Sequence, residues 1–204
     1  MGFFADSFDS AQVGKAKKIF RDAEVRHLPI SKIGEAVVRA VIGCDEALRP
    51  LLMATDEKDR MCRKTEVSHE VTYFFLHMVS RTAYAMLGPV KGKTLCNKTG
   101  ELIPLWFVES LFGHWPKKLK DKISSEFYVN LNSAEQEYAE CRAIFLPEEP
   151  FSETALFSRF ARNVAGPLGR EGDKQAMMNV VKASMELYTQ MGLEELVLSA
   201  RDVL

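Results

Sequence analysis

Cysteine is scarce in this chain. Four residues, Cys44, Cys62, Cys96 and Cys141, are scattered over 204 positions with no Cys-x-x-Cys pair. That pattern excludes a disulfide-stapled scaffold and a thiolate metal knot, and it suits a reducing compartment where buried thiols act as small apolar groups. Excess charge of one sign is missing too: 27 Lys and Arg face 28 Asp and Glu, for a formal net charge of −1. No global field exists to hold nucleic acid or an anionic membrane, so any such contact needs a local patch. Long apolar runs are absent. The longest, around Val71–Val79 and Leu102–Val108, fall well short of the ~20 residues of a spanning helix. The opening MGFFADSF lacks the basic segment and apolar run of a secretory signal, and Asp6 stands where N-myristoylation wants Ser or Thr. No repeat is visible at a solenoid period, and no G-x-S-x-G nucleophile turn occurs. The expected setting is cytoplasmic, with no membrane partner.

What is present is helix. At 47% hydrophobic content the chain can bury a full core by itself. The stretch Thr65–Leu87 runs without Pro or Gly until Gly88-Pro89 stops it. On a helix, Val67, Val71, Phe74, Met78 and Ala85 share one side, with Phe75 beside them. Glu66, Glu70, Tyr73, His77, Ser80, Arg81 and Tyr84 gather on another. The first helix is expected from about Ser10 to His27, ended by Leu28-Pro29. Ser31 then caps a second, which Pro50 kinks or splits. Between Gly88 and Pro104 the periodicity vanishes, and glycines at 88, 92 and 100 predict a short irregular or hairpin insertion near 89–104. Pro104 then suits the first turn of a short, nearly all-apolar helix, LWFVESLFGHW. The basic run Lys117–Lys122 opens a helical region to about Phe145, broken near Asn130–Ser133. Leu146–Pro150 is an acidic connector, and Ser152 starts a helix that closes at Gly166-Pro167. Asp173 caps the next, which Gly192 ends, and a last short helix starts at Leu193. Seven or eight helices with short links argue for a single all-α multi-helix bundle over residues 1–204.

Several fragments resemble chemistry. Gly92-Lys93-Thr94 looks like the end of a phosphate-binding loop, but the earlier glycine of that pattern should stand at Leu87, and the segment follows a helix instead of a strand. A flexible turn is the plainer reading. Glu24-x-x-His27 and Glu66-x-x-His69 have the spacing of di-iron bundles. His27 lies at a helix end, however, and two further inward Glu residues are not evident, so no metal or cofactor is expected. Lys117, Lys118, Lys120 and Lys122 have no interleaved aromatics to stack on bases, so nucleic acid is not an expected partner.

Two sets of residues remain. The row Glu66, Glu70, Tyr73, His77, Arg81 and Tyr84 is a candidate ligand site, because a solvated face seldom needs two Tyr and a His. His77 there could carry a proton near neutral pH. Trp106, Phe107, Phe112 and Trp115 are a candidate interface, since aromatic side chains anchor association. With no catalytic motif, the reading leans away from an enzyme. It favours a cytoplasmic helical protein that acts by self-association or by binding a protein partner. The alternative is a small-molecule or metal-binding bundle, catalytic or not, with its site along Glu66–Tyr84.

Overall fold

The structure, a computed structural model, describes the backbone of residues 10–53, 57–112 and 115–204, and side chains over 29–52, 62–109 and 115–204. Its elements are α1 (Ser10–Met53), α2 (Glu57–Phe112), α3 (Lys117–Ala139), α4 (Leu156–Ala165), α5 (Lys174–Met191), α6 (Leu193–Ala200) and a closing 3-10 turn, Arg201–Val203. Among the described residues there is no strand, only an isolated parallel bridge between Ala143 and Ala155. The all-α expectation holds. The helices are fewer and longer than seven or eight, because several expected breaks are bridged.

Pro29 does not end the first helix, and Pro50 does not split its continuation: α1 runs unbroken for 44 residues. An interior proline costs about 3 kcal/mol. The residues after Pro29 outweigh it: Ile30, Ile33, Val37, Val41 and Leu48 are all fully buried, at roughly 1.5–3 kcal/mol each. Asn130–Ser133 likewise leaves α3 intact, and that helix ends at Ala139, short of Phe145. Helix α4 starts at Leu156, later than Ser152.

The insertion expected near 89–104 is helical instead. The break falls on Gly88, at φ 74 and ψ 178, a backbone region open almost only to glycine. Pro89 restarts the helix at a position where its missing N–H has no role. From there Leu95, Thr99, Ile103 and Phe107 recur every four residues and are fully buried. Gly92 is not a turn residue. A Cβ there would lie 3.1 Å from the Tyr84 Cα and 3.2 Å from the carbonyl carbon and oxygen of Ala83, so glycine lets segment 89–112 press on the end of segment 57–87. Pro104 sits inside the helix rather than at its start. It cannot bond the carbonyl four residues back, that of Gly100, and the Tyr128 hydroxyl donates to that oxygen at 3.2 Å.

The chain divides into two compact units. One contains Ala40–Phe75 and Ser133–Gln190. Its core is Phe74, stacked on Phe160 at 4.1 Å, with Phe75, Tyr138 and Phe157 edge-on at 5.3, 5.8 and 5.2 Å. Residues 140–155 strap α3 to α4: the amides of Arg142 and Ala143 donate to the Thr154 carbonyl, and the Leu156 amide donates back to Ala143. Asp173 caps α5, its Oδ1 accepting the amides of Gln175 and Ala176 at 3.0 Å. The other unit contains Leu76–Asn132, Met191–Leu204 and the described part of Phe8–Arg39. Phe107 lies 5.5 Å from Phe127 there, and Lys120 pairs with Glu109 at 2.7 Å. Lys91 caps the chain's last helical turns by donating to the Arg201 carbonyl at 2.6 Å.

Candidate functional site

The polar row of α2 does not form one continuous surface. Glu66 and Tyr84 are exposed and Arg81 is half-buried, whereas Tyr73 and His77 are buried. Every residue from Val71 to Val79 is buried, so the middle of this helix has no solvated side. Ala85, assigned to the apolar side, is exposed. The Glu66/His69 pair separates in the same way: Glu66 faces solvent, while the His69 ring stacks on Tyr73 at 5.9 Å and is pushed down to about 4 by burial. The side chains of Glu24 and His27 lie outside the described residues. Among those described, no group of three or more His, Cys, Asp or Glu could hold a metal ion.

Glu70 is the member of the row with developed chemistry. It is partly buried and accepts hydrogen bonds from the Tyr138 hydroxyl and from Asn163 Nδ2, the latter at 3.0 Å. The same Asn163 amide donates to Glu137 Oε1 at 3.1 Å. Glu137 in turn receives Arg159 Nη1 at 3.4 Å. Arg159 Nη2 reaches the Glu153 carbonyl at 3.1 Å, and Arg162 pairs with the Glu153 carboxylate at 2.9 Å. The cluster therefore joins segment 57–87 to α3 and α4 within one unit. Burial pushes the Glu70 carboxyl up, against the bonds from Tyr138 and Asn163, and the Glu137 charge pushes it the same way as burial. Tyr138 is fully buried and held well above the usual phenol range by burial and by Glu70, so it stays a donor.

Sequence reasoning reached Glu70 but missed Tyr138, Asn163, Glu137 and Arg159. A signal existed on α4: Arg159 and Asn163 stand four apart on a helix where Leu156, Phe157, Phe160, Ala161 and Val164 are all buried. Two polar residues sharing one line of such a helix need a polar partner.

The aromatic set divides as well. Trp106 and Phe107 are fully buried within the chain and Trp115 is 39% exposed, while the Phe112 side chain lies outside the described residues. Other large apolar side chains are exposed near Trp115 in sequence: Leu105, Leu119, Tyr128 and Val129, the last at 64%. In the lysine run, Lys120 is tied to Glu109 and Lys122 lies 3.6 Å from Glu126. Gly92–Thr94 is helical, with the Thr94 hydroxyl bonded to the Val90 carbonyl, so it forms no phosphate loop. Among the described residues, no helix is long and apolar enough to cross a membrane. No protein-family model matches the chain, and no curated protein or solved structure matches it either.

Proposed function

We propose that the protein acts by association, with a second copy of itself or with a protein partner, and carries out no reaction of its own. The observation that supports this is the exposure of Leu105 on segment 89–112, Trp115 in the link that follows it, and Leu119, Tyr128 and Val129 on α3. Large apolar side chains left in water on neighbouring elements are the usual material of an interface. Trp106 and Phe107 are buried within the chain, Phe107 against Phe127 of α3. A cytoplasmic setting belongs to this reading, and the four free cysteines are consistent with that.

The test is native mass spectrometry and sedimentation over a concentration series, with Trp115→Ala and Val129→Glu compared against wild type. A hot-spot tryptophan contributes about 2 kcal/mol or more, roughly a 30-fold weakening on truncation. Both variants should weaken association with unchanged helical content. An oligomer and partner binding untouched by either would refute the reading.

A second reading is favoured by the Glu70 cluster: a small-molecule-binding protein whose site includes Glu70. It predicts extra mass on each purified chain that Glu70→Gln removes. A bare chain in every preparation would refute it.

A further inference from the structure

We infer that Glu70, Glu137 and Asn163 form a proton-operated latch that fastens α4 onto α3 and segment 57–87. The geometry supplies two carboxylates from different helices and one amide group between them, at 3.0 Å from Glu70 and 3.1 Å from Glu137. It supplies one cation. Arg159 stands 3.4 Å from Glu137, whose side chain is also 37% exposed, so Glu137 has both a counter-charge and water. Glu70 has neither advantage in full: it is partly buried, and among the described residues no cation pairs with it. Two negative charges sharing one amide and one guanidinium repel across a partly dehydrated gap, and the cheapest relief is a proton on the carboxylate that lacks the cation.

Of the groups that face Glu70, the two hydrogen-bond donors favour its charged form, and burial together with Glu137 outweighs them. From α3 come Tyr138, whose hydroxyl donates to Glu70, and Glu137, whose charge opposes a second one. From α4 come the neutral Asn163 and, through Glu137, Arg159. On its own helix Glu66 is exposed, and His69 is uncharged at neutral pH because burial holds it near 4. The upward push on Glu70 from burial and from Glu137 agrees with the geometry. A carboxyl raised in the folded state favours folding most below its ordinary value, and that contribution is lost as the pH rises through the folded value. The latch is therefore closed with the proton on and loosened when the proton leaves. The element it steadies is α4, only 10 residues long, since a helix of that length depends on its tertiary contacts.

This goes beyond the association reading and stands or falls separately from it. The experiment compares wild type with Glu70→Gln by thermal unfolding and by hydrogen exchange of the α4 amides, at about pH 5 and about pH 8. Glutamine keeps an oxygen for Tyr138 and Asn163 but has no proton to lose. Wild type should lose Tm and α4 protection on going to the higher pH, and the variant should lose clearly less. Equal losses in the two proteins would overturn the latch. Infrared spectroscopy gives an independent reading on wild type alone, should the variant fail to fold. A protonated carboxylic-acid band that outlasts those of the ordinary carboxyls as the pH is raised is expected, and its loss together with theirs would overturn the proposal.

Discussion

Gly92 and Gly100 stand in the same helical segment, and alanine at the two positions should act in opposite directions. Glycine in a helix interior costs about 1 kcal/mol relative to alanine, through backbone entropy. At Gly100 an added Cβ meets nothing within 4 Å, so Gly100→Ala should gain most of that amount. At Gly92 the same methyl meets the Tyr84 Cα at 3.1 Å and the Ala83 carbonyl carbon and oxygen at 3.2 Å. Those are backbone atoms of a packed helix and cannot swing aside as a side-chain tip can. Overpacking of this kind costs about 1–3 kcal/mol, which offsets or exceeds the gain. The two variants should differ by roughly 1–3 kcal/mol, the sum of a gain at one site and a penalty at the other. In a chain of this size that is about 2–12 °C in Tm, at ~2–4 °C per kcal/mol. Thermal unfolding followed by circular dichroism, at one pH and one protein concentration, measures it. Equal stabilisation by both alanines would show that the close approach of segment 89–112 to segment 57–87 is not what glycine is there to permit.

Three further outcomes follow from other parts of the fold. Phe74→Ala, which removes the centre of the Phe75, Tyr138, Phe157 and Phe160 cluster, should cost about 3–5 kcal/mol in denaturant unfolding; a loss near zero would mean that the cluster is not the core of its unit. Gly88→Ala, at φ 74 and ψ 178, should cost about 1–3 kcal/mol, and an unchanged Tm would refute the strained break. Tyr128→Phe frees the Gly100 carbonyl that Pro104 leaves without its helical donor, at a cost of about 0.5–1.5 kcal/mol, towards the low end because water can reach the site. Burial and Glu101 raise the Tyr128 phenol, so its hydrogen bond contributes below the ordinary tyrosine range and is lost as the pH climbs through the raised value. The wild type and Tyr128→Phe should therefore converge in stability in strong alkali.

Much of the chain can be read locally, and the exceptions share a cause. Gly88-Pro89, Asp173, Gly166-Pro167 and Gly192 act at the positions where their side chains or dihedrals dictate a stop or a cap. Pro29, Gly92, Gly100 and Pro104 carry the same local signals yet lie inside helices. At three of these the neighbourhood compensates: buried Ile30 and Ile33 after Pro29, a facing backbone for Gly92, the Tyr128 hydroxyl for the carbonyl that Pro104 abandons. Such compensation is tertiary and leaves little trace in a window of a dozen residues. Segment 89–104 was nevertheless partly legible, through the four-residue spacing of Leu95, Thr99 and Ile103, which two glycines disguise. The candidate site follows the same logic. Glu70 stands out on its helix, but Tyr138 and Asn163 come from 68 and 93 residues away, and no linear spacing announces them.

The division of the chain also bears on how the protein is made. Helices α1 and α2 each pass from one compact unit into the other, so neither unit is a continuous piece of sequence. One needs Ala40–Phe75 to wait for Ser133–Gln190, and the other needs Leu76–Asn132 to wait for Met191–Leu204. On the ribosome, Ala40–Phe75 must therefore emerge with its partner segment Ser133–Gln190 still unmade. Early folding falls to parts of the other unit, such as segment 89–112 with the start of α3. No single cut can release either unit whole, and truncation from the C-terminal side removes a part of each in turn.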